Sequence, residues 1–548
     1  MIASSTEFVF PPTDGSVPPA LAIDFHLKYN PNRLFSILYN PTDSSQTSIT
    51  YESLAHAVYR AAHILNPNEQ LPQGTNIGFL VSTDTIQYIV MILGAMRAGL
   101  VPFPISPRTQ VAGIAHLLAS TETCIVVAGG SEALSDITSQ LTRNLAEIGF
   151  PVRFIRPPSL ESIFPELNQV RSRSGQISLP FLKRMPNGAS VSILHSSGST
   201  GMPRPVKFHL EGVFKNFINQ PFGWIYAHDG IRFGTMALPT FHAMGMFLQT
   251  LMPLYAGYTQ VLFAPSHIPV VPTSNLTLEA AVSTKCAYIM CVPAFLETWS
   301  QDEDALAQLR QLKGIMFGGA PLADAIGDKL VDQGVRIHCC YGATEVGHIH
   351  EIWDLDSPRD PDWGYVKFSS HVDVRFIPQN DADPIFELAF VASNDHKPFV
   401  VNCELDGKPA YRTKDLVVRH PSKPDLWKLF GRLDDQIVLH NGEKVNPGPM
   451  EAEIVKCPIV RYAVVFGRER NQTGVLIELE EHVNGIYQTK EGRVKAINEI
   501  WPFIERANHI SPTHSRLEKH TAIIVDPARP LPRTPQGHYP SLCCSQAL

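Results

Sequence analysis

Leu194 to Phe208 read LHSSGSTGMPRPVKF, with hydroxyl residues and glycines packed between an apolar run and a basic, proline-bearing one. Ser196, Ser197, Ser199 and Thr200 offer hydroxyl donors, while Gly198 and Gly201 allow close backbone approach to a ligand. Successive N–H and O–H groups of this kind suit phosphate oxygens, and Arg204 and Lys207 add charge. The stretch fits neither G-x-x-x-x-G-K-[ST] nor G-x-G-x-x-G. A Gly/Ser-rich stretch also reads as a flexible linker. The strand-like VSILH that feeds it, Val191 to His195, and the basic residues that follow favour a bound anion.

The same grammar recurs along the chain. Thr85 to Ala98, TIQYIVMILGAMRA, has helical periodicity, and GLVPFPISP then reads as a turn and a short buried strand. GIMFGGAPL is a strand with a glycine turn, and Pro321 suits the first turn of a helix. VRIHCCYGATE is again a strand running into a loop. Strands alternating with helices predict a largely parallel sheet with helices on its faces. Ligands gather at the carboxyl ends of such strands. Near Gly431 the character changes: PMEAEIVK reads as a helix, RYAVVFGR and TGVLIELEE as paired strands, and RVKAINEIWPFIERANHI as a helix interrupted at Pro502. This predicts a separate small α+β unit.

At 548 residues the chain is too long for one core. A net charge of -7 argues against nucleic-acid partners, which need a basic surface. No apolar run reaches the length of a membrane span, and the N-terminus lacks a basic region followed by an apolar one. The nine cysteines show no CxxC spacing, so a reduced, cytoplasmic protein is expected.

The opening loop resembles the phosphate loop of the adenylate-forming (ANL) superfamily: acyl-CoA synthetases, luciferases and adenylation domains of nonribosomal peptide synthetases. YGATE (Tyr341 to Glu345) looks like the second nucleotide motif, YRTKDL (Tyr411 to Leu416) like the ribose motif, and GRLDDQI (Gly431 to Ile437) like the domain hinge. The resemblance covers nearly the whole chain, in the superfamily's motif order. HPSKPDLWKLFGRLDDQIVLHNGEKVNPGPMEAEI and VPFPISPRTQVAGIAHLL further resemble the adenylation domain of fungal synthetase-like carboxylic acid reductases.

The resemblance implies an α/β fold. A large N-terminal domain over 1–433 would carry mixed sheets and flanking helices, and a small, mobile α+β domain would span 434–548. It implies that ATP, Mg²⁺ and a carboxylic acid give an acyl adenylate and pyrophosphate, with the acyl group then passed to CoA or a carrier protein's phosphopantetheine. Ser196 to Gly201 would hold the β- and γ-phosphates. Tyr341 and Gly342 would line the nucleotide site, Thr344 would approach the α-phosphate, and Glu345 would coordinate Mg²⁺, a cation that prefers oxygen ligands. Asp415 would take the ribose hydroxyls, Arg432 would reach ribose or phosphate, and Asp434 would be the hinge. Val292, Gly318, Gly319, Ala320 and Val346 would line the acid pocket with His242. Relatives that activate amino acids often carry an aspartate where His242 stands. Without an acid there, a buried ammonium is costly, so an aryl or other non-amino acid is favoured. His242 also reads as a structural histidine, Gly318 to Ala320 as a plain strand-to-helix turn, Glu345 as a solvated loop acid and Asp434 as an exposed acidic turn. His348 and His350 read as surface or pocket-rim residues.

The pattern breaks in places. The superfamily's C-terminal lysine beside a glycine is absent: Gln536 and His538 flank Gly537, and Arg533 is the nearest cation. Losing one transition-state donor typically costs on the order of 10²–10³ in rate. Phe386 stands where the familiar motif has glycine before Glu387, and Arg204 replaces a lysine. No carrier or reductase motif follows. Three readings result: an activating enzyme, a non-catalytic nucleotide binder that lost its lysine, and a scaffold, which leaves the nucleotide motifs unexplained.

Overall fold

A computed structural model describes residues 8–168, 182–183, 185–196, 202–220, 230–351, 361–379, 384–434, 436–440, 444–468, 470–483, 485–487, 489–511 and 515–529. The chain divides into two compact units. One holds 1–374 and 390–411, the other 375–389 and 412–548.

The strands of the first unit are β1 (Leu34–Tyr39), β2 (Gln46–Thr50), β3 (Asn76–Val81), β4 (Val101–Pro104), β5 (Ile125–Gly129), β6 (Arg153–Ile155), β7 (Ser190–Ser196), β8 (Arg204–His209), β9 (Arg232–Gly234), β10 (Thr259–Phe263), β11 (Tyr288–Cys291), β12 (Gly314–Gly318) and β13 (Ile337–Cys340). Seven of them form a sheet in the order β13-β12-β11-β9-β10-β1-β2, parallel except where β2 runs against β1. The sequence explains this layout. Strands such as YIMC and GIMFG are apolar at every position and buried on both faces, which a parallel sheet covered by helices requires. A second parallel sheet has the order β4-β3-β5-β6.

The helix Thr85–Arg97 is buried along almost its entire length. It packs on the helix Tyr51–Leu65, where Gly94 meets Ala61 so closely that a Cβ would lie 2.7 Å from the alanine methyl. The opening stretch departs from strand-then-helix. β7 and β8 form an antiparallel hairpin in which Ser196 lies opposite Arg204. Pro321 is not in the first helical turn either, because the following helix starts at Asp324.

Strands Leu426–Arg432, Lys408–Arg419, Ile385–Val391 and Asp373–Pro378 lie side by side in that order. C-terminal to them, Val460–Phe466 and Gly474–Leu479 pair antiparallel, and Ala522–Ile524 adds parallel to the latter. The helices Pro447–Ile454 and Lys490–His509 complete this α+β body. Pro502 does not interrupt the second helix, which runs through it. Ala496, Ile500, Ile504 and Ala507 form a fully buried stripe, and that burial outweighs the bond lost at an exposed proline.

Pro502→Ala restores a donor and removes the ring clash at an exposed position of the helix. The expected result is a gain of about 1–3 kcal/mol in the stability of this body, seen as a raised thermal-unfolding midpoint. A lowered midpoint would contradict a continuous helix.

Candidate functional site

The carboxyl ends of β11, β12 and β13 carry half of the residues expected to meet the reactants. Val292 is the half-buried residue before the helix Pro293–Trp299. Gly318 lies opposite Cys340 in the parallel register, and a Cβ on it would stand 2.8 Å from the Cys340 carbonyl oxygen. Gly319 has φ +88° and is exposed, so the turn to Ala320 uses the glycine's left-handed freedom.

Past β13 the chain folds back at once. Gly342–Ala343 pairs antiparallel with Gly347–His348, leaving Thr344, Glu345 and Val346 on a tight turn. Tyr341 is buried, with its ring edge-on to Phe368 at 6.3 Å, whereas Gly342 is exposed and Thr344 and Glu345 are half-buried.

That turn is held by its backbone. The Glu345 carbonyl accepts the Phe399 N–H at 2.8 Å. The Val346 carbonyl accepts from His396 Nε2, also at 2.8 Å. Asn216 donates to the Lys397 carbonyl at 2.7 Å and accepts the Lys397 N–H at 2.9 Å. Gly347, at φ +84°, leaves room for Asn216, whose Cβ lies 2.8 Å from where a glycine Cβ would stand. Burial depresses His396 to about 4, so it is neutral and donates through Nε2–H. His396, Lys397 and Asn216 were not among the residues singled out in the sequence. They lie far from the YGATE motif, and only the fold brings them to it.

His242 precedes the one-turn helix Ala243–Met246. Its N–H donates to the Pro239 carbonyl at 3.0 Å. Burial, and then the charge of Arg108, lower its pKa. His195, in β7, is depressed to about 4, first by burial and further by His242. Of the opening loop, Ser196 ends β7, while Ser197, Gly198, Ser199, Thr200 and Gly201 lie outside the described residues, as do Arg533, Gln536, Gly537 and His538. His350 is buried at 1% exposure, its ring 4.5 Å from that of His348, which corrects the expectation of a surface or rim position.

In the second unit, Arg432 joins two carboxylates. Its Nη1 donates to Asp415 Oδ1 at 2.7 Å, and its Nε and Nη2 donate to the two oxygens of Asp434 at 2.9 and 3.0 Å. Asp434 is therefore no exposed acidic turn. Burial pushes its carboxyl up, but the bonds and charge of Arg432, helped by Lys414, hold it below the ordinary carboxylate value. Glu387 is 1% exposed and is held by Arg412 and by the Lys414 N–H at 3.2 Å. Phe386, where the familiar motif has glycine, packs edge-on against Trp427 at 5.6 Å.

With this geometry in place, the chain's relatives can be named. Residues 27–375 match the AMP-binding enzyme family and residues 434–540 the AMP-binding enzyme C-terminal domain. The chain belongs to the AMP-binding enzymes of the adenylate-forming superfamily. Among curated proteins it is similar to adenylate-forming reductase Nps11 of Serpula lacrymans var. lacrymans, 33% identical over 540 residues covering 96% of this chain and 48% of that protein. It is also similar to the carboxylic acid reductase of Neurospora crassa, 28% identical over 508 residues covering 89% and 45%. The chain thus spans about half the length of the curated relatives it matches. Its fold is that of ATP-bound MatB from Rhodopseudomonas palustris (TM-score 0.69, 18% identity, 96% of this chain and 98% of that one). It also matches the o-succinylbenzoate CoA synthetase MenE from Bacillus subtilis in complex with OSB-AMP (TM-score 0.70, 16% identity, 97% and 98%). Among the described residues no helix is long and apolar enough to cross a membrane.

Four histidines, the buried His26, His350 and His396 and the half-buried His195, are each depressed to about 4, chiefly by desolvation. Unfolding returns each to about 6.5, so the unfolded chain binds more protons between those two values. Stability is therefore full above pH 6.5 and is lost as pH falls towards 4, by up to ~1.4 kcal/mol per histidine per pH unit. Thermal-unfolding midpoints at pH 7, 6 and 5 should fall in that order, and His396→Gln should flatten the trend. A midpoint flat over this window would rule out burial of the neutral rings.

Proposed function

We propose that the chain activates a non-amino carboxylic acid, with aryl acids favoured, as an acyl adenylate, and passes the acyl group to the thiol of a carrier phosphopantetheine or of CoA. The observation that carries the acid preference is the setting of His242. Among the described residues the charge that bears on it is that of Arg108, beside the neutral ring of His195, and neither is a carboxylate able to answer a substrate ammonium. A cationic and neutral surrounding suits an acid whose only charge is its carboxylate. The similarity to fungal reductases supports a carrier-bound thiol as acceptor.

The donor set at the YGATE turn fits Mg·ATP. Glu345 supplies a hard carboxylate oxygen and Thr344 a hydroxyl, on a backbone held in place at Glu345 and Val346. When bound, Mg²⁺ would screen the phosphate charges that the carboxylate must approach. Asp415 takes the ribose hydroxyls, Arg432 orients that carboxylate, and Ser196 to Gly201 hold the outer phosphates. Val292, Gly318, Gly319, Ala320 and Val346 flank the acid, and Asp434 is the hinge between a 1–433 domain and a 434–548 domain. The protein works in the cytoplasm.

The reading is tested by acid-dependent pyrophosphate exchange with ATP over a panel of aryl and aliphatic acids, alongside amino acids. Exchange with a non-amino acid, abolished by removing Mg²⁺ and reduced at least about 100-fold in Glu345→Gln, is expected. Asp415→Ala should raise the ATP Kd about tenfold. Gln536→Lys should raise the exchange rate. If neither the native chain nor Gln536→Lys exchanges while both bind ATP, the chain is a binder and the catalytic reading fails.

A further inference from the structure

The stretch HKPF, His396 to Phe399, belongs to none of the motifs above, yet its hydrogen bonds run to one of them. The Phe399 N–H and the His396 ring grip the carbonyls of Glu345 and Val346, consecutive residues of the YGATE turn. The stretch is itself fastened along its length. Ser393 Oγ accepts the His396 N–H at 3.0 Å, and the Ser393 N–H donates to the His396 carbonyl at 2.8 Å. Asn216 takes up both polar groups of the Lys397 backbone. Pro398 fixes its own φ. The Phe399 ring packs 4.3 Å from that of Phe208 on β8.

These fastenings cost the fold something. Asn216 is fully buried in a π-helical stretch, Phe214–Ile218, a geometry that is rare and concentrates at functional sites. His396 is fully buried too, and its bond to the Val346 carbonyl fixes the ring hydrogen on Nε2. Among the described residues its Nδ1 has no hydrogen-bond partner. A buried acceptor left unmade works against stability. The ring's contribution therefore lies in what it holds, the turn that carries Thr344 and Glu345. On the other side of that turn, Gly347 lies so close to Asn216 that a Cβ would stand 2.8 Å from its Cβ and 2.9 Å from its carbonyl oxygen. Asn216 thus bears on the turn directly at Gly347 and through Lys397.

We propose that His396 and Asn216 are positioning residues that hold the turn from Thr344 to Val346 in the shape in which Glu345 meets Mg²⁺, and so set how much Mg²⁺ the chain needs to bind ATP. The inference rests on the reading of Glu345 as the Mg²⁺ ligand of an ATP-dependent enzyme, and it extends that reading to residues that act through the turn. Groups of this kind, one shell away from a ligand, typically change metal affinity by about tenfold to hundredfold when removed.

The test is titration of the intact chain with ATP over a series of Mg²⁺ concentrations, and with AMP without metal. The native form is compared with Glu345→Gln, His396→Phe, His396→Gln and Asn216→Ala, with thermal midpoints recorded for each. His396→Phe and Asn216→Ala are expected to raise the Mg²⁺ concentration that gives half-maximal ATP binding by about tenfold or more, with the AMP Kd within about twofold. His396→Gln, which keeps an N–H donor, should recover part of the loss. A lowered midpoint with an unchanged Mg²⁺ requirement in both His396→Phe and Asn216→Ala overturns the proposal, because the clamp is then structural only. Equal losses for ATP and AMP overturn it too, since they report a general distortion. Should Asn216→Ala not fold, His396→Phe decides alone. If Glu345→Gln leaves the Mg²⁺ requirement unchanged, the ligand assignment fails and this inference falls with it. If Glu345→Gln shifts that requirement and the clamp variants do not, only this inference fails. A Mg²⁺ shift in the clamp variants of a chain that catalyses no pyrophosphate exchange supports the inference and sinks the catalytic reading alone.

Discussion

The parallel register of β12 and β13 is the constraint on which the large unit's site depends. Hydrogen bonding sets Gly318 beside Cys340, and the backbones come so close there that only a glycine fits. The two chains then leave the sheet together. One makes the Gly319 turn, and the other doubles back through Tyr341 to His348. A one-residue slip of β13 would invert every side chain along it and break the alignment of the turns. β12, GIMFG, is buried at every position, and β13 adds buried Ile337 and His338 beside it, so both strands are fixed inside the covered sheet. The core therefore determines where the chemistry can sit.

A second feature of the site is that its backbone is clamped from outside the motif. Phe399 and His396 bond to consecutive carbonyls of the YGATE turn, and Asn216 ties the clamping segment to the helical stretch below it. Preorganisation of this kind is worth more than extra contacts, because a ligand-binding group that must first be ordered loses part of its binding energy.

Much of this was legible in the residues. The parallel sheet follows from alternating strands and helices, and the helix Thr85–Arg97 and the C-terminal strand pair follow from periodicity. The order of short polar motifs pointed to the superfamily. What local reading missed was tertiary. Pro502 predicts a break, but the buried stripe from Ala496 to Ala507 is a stronger term. His348 and His350 look like rim residues because alternation says nothing about what covers a strand. His396 and Asn216 carry no local signal, since their role exists only once residues far apart in sequence meet. Phe386 looked like a defect in a motif until Trp427 was seen packing against it.

The charge pattern of the large unit joins these observations. Burial holds His195 and His396 at about 4, so at neutral pH they act as hydrogen-bonding groups of fixed tautomer and not as cations. On the proposed reading, positive charge for an approaching triphosphate and carboxylate comes from groups that never lose it, and Arg204 and Lys207 on β8 are such groups. Two anions can be brought together only where fixed cations offset their repulsion. A site built from neutral imidazoles and permanent cations keeps that balance across the neutral pH range, whereas one relying on imidazolium would lose it above about pH 6.5.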